Sequence, residues 1–219
     1  MADDELLDYF DIDGAWLGSA SRRAVHDRSL WHRTLHLWLA SAEHGGSLLF
    51  QLRSATASNW PGLLDVSVAG HLLAGEAYLD GLRESREEIG IAVPTGAAIA
   101  LGQRRDESPD PGGGCNRELQ GVYIARLDPA WGSFDPVDRE VAGLFWIGND
   151  DGARLHRGEV ATITCPGVTV DGGARREERR LISLDDFVPR ADGYYLRMHD
   201  IAAKLIRNDP VPRLDHRPR

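Results

Sequence analysis

The 219-residue sequence predicts an α/β fold, a mixed β-sheet with helices packed on its faces. Three observations lead there. Strand-like and helix-like segments interleave, with neither βαβ regularity nor an unbroken run of hairpins. Apolar residues make up 42% of the chain, enough for a sizeable core. No apolar run approaches the roughly 18 residues of a membrane-spanning helix.

Taken in order, residues 5–20 read as a hairpin turning at Asp13-Gly14. A polar stretch, 21–32, carries His26 and His32. Arg33–Ala40 alternates in part, a Gly45-Gly46 turn follows, and Ser47–Leu52 reads as the next strand. Ser54–Gly62 is a loop of small residues closed by Trp60-Pro61-Gly62. Leu63–Ala69 alternates as a strand. Glu76–Ile89 reads as a helix stopped by Gly90, despite Gly81 inside it. Ala97–Arg104 and Glu118–Leu127 read as strands flanking a Pro- and Gly-rich loop, Asp106–Gly114, expected to be mobile or substrate-facing. Val141–Ile147 is a buried-strand candidate and Asp150–Glu159 a short helix. Thr162–Val170 and Arg180–Leu184 can pair across Asp171-Gly172-Gly173. Tyr194–Arg207 reads as a helix with Leu196, Ile201, Leu205 and Tyr195 on its apolar side. No repeat or linker divides the chain. It reads as a single domain over residues 1–219, with a core over about 5–160, a C-terminal extension over about 161–208 and a loose tail at 209–219.

The formal net charge is −9, and no basic block precedes Arg213–Arg219. Binding a long nucleic acid needs a positive surface that releases counterions, so this balance excludes it. A small phosphorylated substrate remains open, because a divalent cation bridges acidic side chains and an anion. Cys115 and Cys165 are too few for a disulfide framework or a thiolate zinc site and read as structural or incidental. The start, Met1-Ala2-Asp3-Asp4-Glu5, is acidic where a leader would be basic, which predicts a cytoplasmic protein.

The chemistry concentrates in residues 70–91, GHLLAGEAYLDGLRESREEIGI. Glu84, Glu87 and Glu88 stand at i, i+3 and i+4, so a helix puts them on one face. Three like charges beside apolar Leu79, Leu82 and Ile89 destabilise a packed helix unless a cation neutralises them. Hard divalent cations take oxygen ligands, and Mg²⁺ shares substrate phosphates. The Gly70–Gly75 loop lets backbone approach a ligand closely and can offer a carbonyl to the metal. Arg83 carries a planar fork of donors able to orient a neighbouring carboxylate.

This segment resembles the Nudix box, G-x5-E-x7-R-E-U-x-E-E-x-G-U, with U a bulky apolar residue. Gly70, Glu76, Arg83, Glu84, Glu87, Glu88, Gly90 and Ile91 match. Two departures stand out. Six residues, Ala77–Leu82, replace the usual seven, and Ser85 takes the first apolar position. The shortening falls at the start of the helix and keeps the R-E-x-x-E-E register. The resemblance implies a Nudix α/β/α sandwich with a mixed sheet and, here, a C-terminal extension. It implies hydrolysis of a nucleoside diphosphate linked to another group X. Gly70, Glu84, Glu87 and Glu88 would hold Mg²⁺, with Mn²⁺ able to substitute, and Arg83 would complete the catalytic core. The base is either Glu84 or a residue of a later loop. Gly70, His71 and Arg53 are the candidate substrate-binding residues. Dimers are common in the family, so a homodimer is expected.

A wider stretch is similar to type I isopentenyl-diphosphate isomerase, which shares the Nudix fold and has a histidine-rich metal site. The pieces are His26, His32 in W-H-R-T-L-H-L-W, His71 in A-G-H and Glu118 in N-R-E-L. The isomerase cysteine two residues before the motif histidine is Ala69 here, and its E-x-E is Asn116-Arg117-Glu118. Alanine cannot serve as an acid or base, so isomerisation is not expected. Glu118 is the candidate distal ligand or base. Trp60, Tyr123, Trp131, Trp146, Tyr194 and Tyr195 are candidates to hold a base or an isoprenoid-like group. A Nudix domain that binds without cutting would usually carry a degraded R-E-x-x-E-E; here it is complete.

Overall fold

The computed structural model describes residues 4–109, 113–130, 133–135, 140–171, 174–190 and 192–214. Eleven strands and four α-helices follow one another as β1 (Leu6–Phe10), β2 (Trp16–Ser21), α1 (Arg22–Asp27), β3 (Trp31–Ser41), β4 (Ser47–Arg53), β5 (Leu64–Asp65), β6 (Val68–His71), α2 (Glu84–Ile89), β7 (Ile99–Pro109), β8 (Cys115–Arg126), β9 (Val141–Gly148), α3 (Asn149–His156), β10 (Ile163–Asp171), β11 (Ala174–Ile182) and α4 (Tyr194–Ile206). One sheet runs β11-β10-β9-β4-β3-β1-β2. β5 lies beside β4, β6 beside β3, and the β7–β8 hairpin joins β3 through β8. The β3–β8 pairing is parallel and the other strand ladders are antiparallel, so the sheet is mixed.

The first hairpin turns where the Asp11 carboxylate accepts from the Asp13 and Ala15 amides at 2.9 and 2.8 Å, an Asx turn, with Gly14 at φ +86°. The polar stretch after it starts α1, capped where the Ser21 hydroxyl accepts from the Ala24 amide.

Strand β3 sorts its side chains by period two. Leu35, Leu37 and Leu39 face α2 and pack with Leu49, Val68, Leu82 and Ile89. Trp38 and Ala40 face the other way, into a core with Phe50, Val122, Ile124, Tyr194, Met198 and Ile201 beneath α3 and α4. Fully burying a side chain of this size contributes roughly 1.5–3 kcal/mol each. Helices therefore cover both faces, and the α/β/α sandwich follows.

The structure corrects four expectations. The strand expected at Leu63–Ala69 divides into β5 and β6. β3 and β4 pair only at Ala40–Leu48 and Ser41–Ser47 and then diverge, so the chain leaves β4 and crosses to β3. Ser67 bridges the gap, donating to the Leu49 carbonyl at 2.6 Å and accepting from the Leu39 amide at 2.9 Å. The helix expected over Glu76–Ile89 shrinks to a 3₁₀ turn, Asp80–Arg83, and the short α2. Asp80 accepts from the Ala77 amide at 2.8 Å, and the Tyr78 hydroxyl donates to the Leu119 carbonyl at 3.0 Å, so one local and one tertiary contact displace the first helical turn. Gly90, at φ +75°, ends α2 as expected. The loop expected at Asp106–Gly114 is mostly ladder, with pairing as far as Pro109–Cys115 and a Glu107–Arg117 ion pair of 2.7 Å; residues 110–112 lie outside the described set. On α4 the buried face is Tyr194, Tyr195, Met198, His199, Ile201 and Ala202, while Leu196 and Leu205 are half-buried.

No helix among the described residues is long and apolar enough to cross a membrane.

Candidate active site

β6 is a seam between two groups of functional side chains. On the α2 side, Gly70 packs directly beneath Glu84. A Cβ at position 70 would meet the Glu84 Cγ, Cδ and, at 2.7 Å, Oε1. Only glycine permits that approach. Arg83 gathers the carboxylates. Its Nε and Nη2 donate to the two Glu76 oxygens at 3.1 Å, Nη1 binds Glu84 and lies 3.6 Å from Glu87, and Nη2 reaches the His71 carbonyl at 3.3 Å. Glu76 also accepts from the Leu73 amide at 2.7 Å, so the shortened motif still ties this residue to the loop before it. Glu88 is buried and accepts from the Ala69 amide at 3.3 Å. Glu87 is the open member, its side chain 61% exposed.

Burial raises the Glu84 carboxyl above its ordinary range; Arg83 pulls it down and the Glu87 charge pushes it up, and the net direction is upward. A desolvated carboxylate beside others is a place that a divalent cation fits. The donors are oxygens throughout, as Mg²⁺ or Mn²⁺ requires.

The opposite side of β6 opens into a cleft of 670 Å³. The register sets its wall: Thr34 and His36 on β3 stand beside His71 and Ala69 on β6, and Glu118 on β8 stands one step along, beside His32. Arg53, from the end of β4, lines the cleft while its Nε donates to the Asn59 carbonyl at 2.7 Å.

Three imidazoles meet here. His26 Nε2 lies 3.1 Å from His71 Nε2, His32 stacks on His71 with centroids 5.0 Å apart, and one ring nitrogen of each lies within 4.8 Å of the others. Burial pushes the His71 and His32 rings below their ordinary value, most strongly at His71, which favours the neutral, metal-binding form of each ring. His32 Nε2 is buried without a hydrogen-bond partner.

Glu118 faces this trio. Burial would raise its carboxyl, but the facing His32 and His36 rings and the side-chain amides of Gln120 and Asn116, at 2.6 and 2.9 Å, bring it down to about 2. Ala69 stands next to His36, a methyl group where the isomerase places its thiol.

Comparison with known proteins settles the family. A Nudix hydrolase of Clostridium acetobutylicum, itself uncharacterized, is 34% identical over 195 residues, covering 88% of this chain and 94% of that protein. This chain belongs to the Nudix hydrolase family. It is also similar to isopentenyl-diphosphate Δ-isomerases. That of Shigella boydii is 31% identical over 175 residues, 79% of this chain and 92% of the isomerase. A crystal structure from Deinococcus radiodurans superposes with a TM-score of 0.54 at 25% identity, over 70% of this chain and 90% of that one. No family model matches the chain.

As a Nudix hydrolase the chain is an enzyme, and it carries further polar residues that the sequence did not single out. Thr34, His36, Asp65 and Arg190 line the cleft, together with Asn116, noted above only as a departure from the isomerase motif. The alternation His32-Thr34-His36 is a polar period-two signal, and Asn116-Glu118-Gln120 is another. Asp65 and Arg190 have no such signal. The aromatic candidates divide. Trp60 lines the cleft; Tyr123, Trp146, Tyr194 and Tyr195 belong to the cores; Trp131 lies outside the described residues.

Proposed function

We propose that this Nudix hydrolase cleaves a diphosphate linkage in a nucleoside diphosphate joined to another group X, with Mg²⁺ as the working cation and Mn²⁺ as a substitute. One observation carries the reading: Glu84 is seated against Gly70 and gathered with Glu76 and Glu87 by Arg83, on a strand whose other side opens into the cleft. Gly70, Glu84, Glu87 and Glu88 would hold the cation, which when bound would neutralise the diphosphate and acidify the attacking water.

The chain's own residues supply the rest. Arg83 fixes the Glu84 carboxylate through a charge-assisted bond and braces it with Glu76. Glu84, or a carboxylate from a later loop, would take the proton from water. Glu118, held ionised by two amides, fits a ligand or anchor better than a base. His71 and Arg53 line the path of the substrate. The substrate is a small phosphorylated molecule, and the enzyme works in the cytoplasm.

The imidazole trio with Glu118 favours a second metal position, and through it the isomerase reading. Ala69 argues against that reaction, since no thiol is present beside His36 to exchange a proton. Incubation with isopentenyl diphosphate and with ADP-ribose, each with Mg²⁺, separates the two. ADP-ribose is expected to be split while isopentenyl diphosphate gives no dimethylallyl isomer. Formation of that isomer by purified protein would overturn the hydrolase reading.

A further inference from the structure

The floor of the cleft is polar and incompletely paired. Thr34 Oγ1, Asn116 Oδ1 and Arg190 Nε are buried without a hydrogen-bond partner. Thr34 is 3% exposed, Asn116 8% and the Arg190 side chain 8%. Buried polar atoms in a native protein are nearly always satisfied, so three around one cavity point to a ligand.

His36 adds a fourth contact of fixed polarity. The Trp38 indole can only donate, and it donates to the Tyr194 hydroxyl at 2.9 Å. The one Tyr194 proton then goes to His36 Nδ1, 3.2 Å away. Nδ1 is therefore the acceptor of the neutral ring and Nε2 carries the proton. His36 lines the cleft, so the floor gains an N–H donor.

We propose that this floor is a binding subsite for a hydroxyl-rich group, a sugar carried on the diphosphate, held by Thr34, His36, Asn116 and Arg190. It rests on the reading above, in which a cation held at Gly70, Glu84, Glu87 and Glu88 neutralises the diphosphate. A hydroxyl both donates and accepts, and the floor offers donors at His36 and Arg190, an acceptor at Asn116 and both at Thr34. A prenyl chain would strand all four. On the floor a phosphate would find the Arg190 fork already taken, because its η nitrogens bind Asp65 at 3.1 Å and Asp106 at 3.2 Å, and the Glu118 carboxylate would repel it. A nucleobase would find no Trp, Tyr or Phe ring on the floor itself. Trp60 is the one Trp, Tyr or Phe among the described residues of the lining, and it comes from the loop over Ser54–Gly62 rather than the sheet.

Calorimetric titration of the full chain with ADP-ribose, UDP-glucose, ADP, UDP and isopentenyl diphosphate, with Ca²⁺ in place of Mg²⁺, tests the subsite without turnover. At least one sugar nucleotide is expected to bind about tenfold or more tightly than its parent diphosphate and than isopentenyl diphosphate. Thr34→Val should weaken that sugar nucleotide about three- to tenfold, and more than it weakens the parent diphosphate, while Thr34→Ser restores it. Equal binding of sugar nucleotides and parent diphosphates, or tighter binding of isopentenyl diphosphate, would overturn the proposal. So would a Thr34→Val loss shared equally by all ligands. The wild-type ranking needs no variant to fold. Selective sugar-nucleotide binding without Mg²⁺-dependent cleavage would leave the subsite standing and remove the hydrolase reading alone.

Discussion

Replacing Glu87 or Glu88 with glutamine is expected to lower turnover at least about a hundredfold, while the protein stays folded. The change keeps size and shape and removes the charge that binds a divalent cation. Glu87 is largely open to solvent and loses only a long contact with Arg83, so its substitution leaves the packing alone. Glu88 is buried, but a glutamine there retains an oxygen that can accept from the Ala69 amide. Steady-state kinetics and metal titration should show both variants losing cation affinity along with turnover, at nearly unchanged melting temperature. Turnover like that of the parent in both variants would remove these two residues from the site.

Gly70→Ala is expected to be nearly as damaging to activity through a different cause. The new methyl group would lie within 2.7 Å of Glu84 Oε1, closer than van der Waals contact allows, and Arg83 holds that carboxylate in place. Overpacking of this kind costs about 1–3 kcal/mol. For a chain of this size that corresponds to a melting-temperature loss of roughly 2–12 °C. Relief requires Glu84 to swing away from Gly70, which takes a ligand out of the cation site. In a Glu84→Ala background the same glycine substitution should cost little further stability. An equal stability loss in both backgrounds would show that the clash is not with Glu84.

Much of the fold was legible because it rests on local rules. The Asp13-Gly14 hairpin, the Gly45-Gly46 turn and the stop at Gly90 follow from turn chemistry and alternation, whereas the partner of β10 runs over Ala174–Ile182 rather than the expected Arg180–Leu184. The break at Ser67 was not legible, since it depends on how far β3 and β4 have diverged. The short α2 was partly legible: the six-residue spacing placed the irregularity at the start of the helix, but the Tyr78–Leu119 contact that enforces it is tertiary.

The candidate site divides in the same way. Arg83, Glu84, Glu87 and Glu88 are neighbours in sequence, the three carboxylates on α2 and Arg83 at its N-cap, so their pattern is local. His26, His32, His71 and Glu118 could be noticed through their likeness to the isomerase, and the sheet brings them together. The floor escaped notice because it is made by distance. Asp65 and Arg190 are 125 residues apart, and His36 and Tyr194 are 158 apart.

The most direct measurement is a cleavage screen, with released monophosphates read by a coupled phosphatase. The substrates are nucleoside diphosphate sugars, ADP-ribose, dinucleoside polyphosphates, nucleoside triphosphates and prenyl diphosphates, each with Mg²⁺, with Mn²⁺ and with both removed by chelation. Cleavage of a nucleoside diphosphate linked to another group, present with either cation and abolished by chelation, is the result the structure predicts. Cleavage that persists without a divalent cation, or none on any substrate despite intact Mg²⁺ binding, would contradict it.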